Sequence, residues 1–140
     1  MKKITVYILL SMFLVACQNE SNSIKINDNL SIEFEQIGYY KSSVNTRCYT
    51  FFINATDTID INNIPDKLWE EIEKHGLSQT YTEGKATQSF YYLSKSSTPD
   101  VTSAKDYDKA INRAYDAKPL AVVYQDWTGS GLFKKSESSE

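Results

Sequence analysis

One histidine, His75, and two cysteines, Cys17 and Cys48, set a narrow limit on the catalysis this chain can perform. Paired, Cys48 and His75 would form a nucleophile and its general base, yet no third residue stands out to orient them. Cys48 falls in an aromatic-rich strand, where a free thiol packs as a small apolar group. His75 falls in the last turn of an expected helix, where a partial positive charge suits the dipole. The run Asp57-Thr58-Ile59-Asp60-Ile61-Asn62-Asn63 offers oxygen ligands for calcium. It lacks the alternating acids, the glycine and the closing glutamate of the known loop, and reads as a strand-to-helix connection. Trp127-Thr128-Gly129-Ser130-Gly131 follows an apolar strand, as a phosphate cradle would. No helix comes after it to supply a positive dipole end, so it reads as a turn into a short last strand with Leu132 and Phe133. The acid pairs Glu33/Glu35, Glu70/Glu71 and Asp106/Asp108 fit the solvated side of a strand or helix. We therefore expect no catalytic residue, no metal and no cofactor.

Binding chemistry is better supplied. Phe52, Tyr91, Tyr92, Tyr124 and Trp127 fall on or beside expected strands, and rings of this kind give large contact area at low entropic cost. They are the candidate binding surface, on the sheet face that helices leave uncovered.

The elements that must position these residues follow from periodicity and punctuation. Residues 31–40 and 46–55 read as a hairpin, with Tyr49, Phe51 and Ile53 on one face and Cys48, Thr50 and Phe52 on the other. A helix follows, capped by Asn62 or Asn63, with Pro65 in its first turn, Leu68 and Ile72 on its buried stripe and Gly76 as its left-handed stop. Leu77 would make the apolar contact beyond that stop, and a loop around Gly84 leads on to the next strand. That strand covers residues 87–93. A second helix starts near Thr102 or Ser103, with Tyr107, Ala110, Ile111 and Ala114 at helical spacing, and Pro119 blocks its continuation. The apolar run 120–124 then reads as a central strand. The order β-β-α-β-α-β predicts an α/β (α+β) two-layer sandwich. Its sheet is mixed and four- to five-stranded, both helices lie on one face, and the last strand-helix-strand unit is parallel.

The N-terminus carries an address. Lys2 and Lys3 precede thirteen uncharged, mostly apolar positions, residues 4–16, which reads as a secretory signal peptide. As a helix that stretch reaches roughly 20 Å, short of the ~30 Å needed to span a bilayer. Leu14-Val15-Ala16-Cys17 resembles the lipobox of bacterial lipoproteins. The resemblance implies cleavage before Cys17, diacylglycerol on its thiol and fatty acyl chains such as palmitate, an anchor that more than one chain makes effectively permanent. It implies cell-envelope localisation: the outer membrane where the cell has one, since Gln18 follows the cysteine where a retention rule wants Asp, and otherwise the outer leaflet of the cytoplasmic membrane. Domain organisation is then signal 1–16, lipidated Cys17 and flexible tether 17–29, one domain 30–133 and a solvated tail 134–140. Lipidation of Cys17 leaves Cys48 without a disulfide partner.

Composition narrows the function classes. The 140 residues are 41% hydrophobic and 24% charged, with a net charge of -3 that becomes -5 once Lys2 and Lys3 are removed. Without a basic stripe, nucleic-acid binding is not expected. The reading is a non-enzymatic envelope protein, held to the membrane through Cys17, that binds another protein through a sheet face or edge. Two alternatives are a glycan- or small-ligand-binding accessory, and an immunity or inhibitor role in which an acidic domain blocks a basic toxin or hydrolase.

Overall fold

The structure, a computed structural model, describes residues 22–79 and 86–135. These residues form six strands in one curled mixed sheet, ordered as in the chain: β1 (Ile24–Lys25), β2 (Ser31–Lys41), β3 (Arg47–Ala55), β4 (Thr87–Tyr92), β5 (Ala121–Asp126) and β6 (Gly129–Lys134). Helix α1 (Asp66–Leu77) lies between β3 and β4, and α2 (Tyr107–Asp116) between β4 and β5. The signal segment, Cys17, the loop around Gly84 and the tail beyond Lys135 lie outside the described residues.

The mixed α/β class holds, but the layering differs from the expected two-layer sandwich. The two helices cover opposite faces of the sheet. Leu68 and Ile72 of α1 pack with Tyr49, Phe51, Ile53, Tyr91 and Val123. Ala110 and Ala114 of α2 pack with Cys48, Phe90, Tyr92 and Val122, the strand residues that adjoin Tyr49, Tyr91 and Val123 in the chain. Successive residues on a strand point to opposite sides, so strands with consecutive apolar or aromatic residues, as the end of β4 and the start of β5 have, need cover on both faces. That continuity was visible in Phe90-Tyr91-Tyr92 and Leu120-Ala121-Val122-Val123, and it argues against one bare face.

The parallel pair also moves. β3 and β4 are parallel, joined through α1, while β4 and β5 are antiparallel. The reason lies in residues 93–106, which run along the sheet before α2 begins. Tyr107 stands near Gln88 at the start of β4, and the Tyr92 hydroxyl donates to the Ala114 carbonyl near its end, 2.6 Å away. The helix thus carries the chain back to where β4 ended, and Leu120 N–H donates to Tyr91 O at 2.7 Å. Antiparallel pairing follows.

Local corrections share this tertiary origin. In β2 an extra residue, Ile37, sits between the pairs Gln36–Phe51 and Gly38–Thr50. This bulge puts Phe34 and Tyr39, an odd number of residues apart, on the same face as α1. Residues 24–29, expected within the tether, are folded: β1 pairs with β2, and Ile26 is buried with Leu30, the first residue of the expected domain. The short strand β1 takes the sheet beyond the expected four to five strands. Lys134, expected in the tail, closes β6.

Helix α1 has Pro65 at its N-cap with no side-chain cap, so neither Asn62 nor Asn63 serves. Gly76 lies inside the helix and is no left-handed stop. Its missing Cβ lets α1 approach β5 at Val123, whose side chain occupies the space a methyl would need. Helix α2 begins four residues later than Ser103, where the Asp106 carboxylate accepts the Lys109 N–H at 2.8 Å. Lys118 ends this element in a left-handed conformation, with φ of 55°.

Candidate functional site

The groups whose chemistry suits a nucleophile and its base, Cys48 and His75, are separated by the sheet. His75 lies on the α1 side, its Nδ1 2.8 Å from the Tyr91 hydroxyl and its ring between Phe34 at 4.3 Å and Phe51 at 4.6 Å. Burial lowers its pKa to about 4, so it is neutral at pH 7 and carries none of the charge expected of it at the helix end. Cys48 lies on the α2 side, fully buried, where desolvation pushes its pKa up to about 12 and keeps it a thiol. Imidazole and thiol cannot meet.

Asp57 and Asp60 spend carboxylate oxygens on local backbone, accepting from Thr58 N–H at 2.7 Å and Asn62 N–H at 2.9 Å. Among the described residues no cluster of three His, Cys, Asp or Glu side chains is placed to hold a metal ion. Of the acid pairs, Glu35 meets Lys95 at 2.6 Å and Asp106 caps α2.

The five aromatic residues expected on one surface are not on one surface. Tyr91 is fully buried beneath α1, and Tyr92 lies beneath α2. Both are core, because each face of β4 has its own helix. Burial raises both phenols far above their ordinary pKa. Phe52 is half-buried beside Leu93, lining an open cleft of about 600 Å³ at the end of β3. Tyr124 is also half-buried, and Trp127, 73% exposed, caps the turn between β5 and β6.

What the fold does assemble is the free edge of β6. Among the described strands this one pairs on a single side, with β5. Asp126 holds the turn by accepting from the Thr128 hydroxyl and from the Thr128 and Gly129 N–H groups, which also keep its carboxyl below its usual pKa. Gly131 leaves room for the Tyr124 ring, which packs within 2.6 Å of where a Cβ would stand. Tyr124 in turn stacks on Phe133, centroids 5.2 Å apart, and Phe133 remains 58% exposed. With Tyr115 of α2 these rings line a hollow of about 250 Å³. On the opposite face, a groove of about 420 Å³ runs between β6 and α1, lined by Asp66, Trp69, Glu70, Glu73, Leu132 and Lys134. The Lys134 ammonium lies over Trp69, 4.9 Å from the ring centroid.

The other end of the sheet is better guarded. The two-residue β1 covers the start of β2, and beyond it β2 carries its bulge, Glu33 and Glu35, while its Tyr39 N–H donates to Thr102 Oγ1 at 3.2 Å. Reading the sequence by strand parity missed Tyr115, Trp69 and the role of Phe133. Tyr115 is eight residues after Tyr107 on the helical stripe, a signal that was present. Trp69 depends on how α1 lies across β6, which periodicity does not report.

The fold and this edge define the class: a mixed α/β domain with both sheet faces covered and, among the described residues, the outer edge of β6 open along its length. Comparison of the chain with protein families, with curated proteins and with solved structures gives no match.

Proposed function

We propose that this protein is a lipid-anchored envelope protein that acts by occupancy, taking a strand or loop of another protein on its β6 edge. The observation carrying this is the edge itself: an unpaired row of backbone groups beside an exposed Phe133. Such a row adds a strand through main-chain hydrogen bonds, and flanking side chains supply selectivity. The lipobox-like Leu14-Val15-Ala16-Cys17 supports the anchor, which would hold the domain at the membrane surface.

The test is in-cell photo-crosslinking from position 133 against position 108, an exposed site on α2. One near-stoichiometric protein adduct from 133 and none from 108 supports the reading, and Phe133→Ser should then reduce partner recovery about tenfold. Equal adducts from both positions, or none, would sink it. A glycan-binding role has one observation in its favour, the hollow walled by Tyr115, Tyr124 and Phe133. At about 250 Å³ it falls below the ~300 Å³ at which small-ligand pockets usually begin.

A further inference from the structure

We propose that the occupant of the β6 edge is an extended basic segment whose residues alternate between lysine or arginine and aromatic or apolar side chains. This rests on the edge-binding reading above and adds the chemistry of the partner. A strand laid beside β6 directs successive side chains to opposite faces of the sheet, and the two faces flanking β6 differ in kind. On the α1 side, Asp66, Glu70 and Glu73 rim the groove, with Trp69 and Leu132 as its apolar lining. Against these three carboxylates stands one ammonium, that of Lys134, which already shows how a cation rests on Trp69. No hydrogen bond or ion pair engages the three carboxylates among the described residues. On the other side, Phe133, Tyr124 and Tyr115 offer rings. A basic residue followed by an aromatic one satisfies both faces in a single register.

The same charges disfavour a second copy of this chain. Antiparallel pairing of two β6 strands would set both α1 helices on the same face, and their acidic rims would meet with one lysine from each chain between them. A basic partner meets that rim with opposite charge.

The test uses the full chain in neutral detergent micelles and three end-capped eight-residue probes alternating tyrosine with lysine, with threonine or with glutamate. Binding is read by calorimetry and by amide NMR shifts in β6. The lysine probe should bind at least about tenfold tighter than the other two, shift Leu132, Phe133 and Lys134, and weaken steeply with added salt. The combined variant Asp66→Asn, Glu70→Gln, Glu73→Gln, at exposed positions whose neutralisation leaves the fold intact by circular dichroism, should lose about tenfold for that probe while the threonine probe is unchanged. If all three probes bind alike at β6, the basic class is wrong and the edge reading stands. If none perturbs β6, both fall. Concentration-dependent broadening of β6 signals without any probe would assign the edge to a second copy and overturn the proposal.

Discussion

His75 shows how far a residue's surroundings can reverse what its place in the chain implies. At the end of α1 it would gain from a positive charge, yet the rings of Phe34, Phe51 and Tyr91 exclude water and hold it neutral. Its folded pKa of about 4 lies below the ordinary value near 6.5, so the unfolded chain takes up the proton first as pH falls. The stability this neutral ring contributes is complete above about pH 7 and is lost between about 6.5 and 4. Denaturant midpoints measured across that range should fall for the native chain. They should fall less steeply for His75→Phe, whatever that variant's stability at pH 7.5; equal slopes would remove His75 from the account. The helix position of His75 was legible in sequence. Its neutrality was not, since Phe34 and Tyr91 arrive from strands far along the chain.

At the scale of elements, α1 and β5 touch through a glycine that its sequence position made look like a stop signal. Gly76 normally weakens a helix by roughly 0.5–1 kcal/mol relative to alanine, so an exposed Gly→Ala change would stabilise. Here the added methyl meets the branched side chain of Val123, which has little rotamer freedom to retreat. Gly76→Ala should therefore destabilise by about 1–3 kcal/mol, read from chemical denaturation. Combining it with Val123→Ala should recover part of the loss, a coupling that independent sites would not show. The stripe Leu68–Ile72 and the stripe Ala110–Ala114 were both readable from helical spacing, because burial on one side leaves that trace. Which side of the sheet each stripe faces leaves none, and the 14-residue path from Leu93 to Asp106 decided it for α2.

For the whole molecule the predictions concern where the domain is held. If Cys17 carries the anchor, Cys17→Ala leaves the precursor uncleaved before residue 17 and free of lipid label in metabolic labelling with a fatty acid. A labelled, processed variant would refute the anchor. The native mature chain should also present one reactive thiol, and only after unfolding, since Cys48 is fully buried and held as a thiol. Two thiols on denaturation would mean that Cys17 is unmodified.

Local pattern by itself determined the α/β class, the positions of β2 through β5 to within a few residues, both helices and the turn at Trp127. Each of these is written in neighbouring residues, as alternation, helical spacing or a chain-breaking proline or glycine. The opposite placement of the helices, the parallel pairing of β3 with β4, the burial of Tyr91 and Tyr92 and the exposure of the β6 edge came from tertiary structure. They depend on which segments meet across the chain, and hydrophobic burial, being non-directional, does not encode in one stretch the identity of the surface that will cover it.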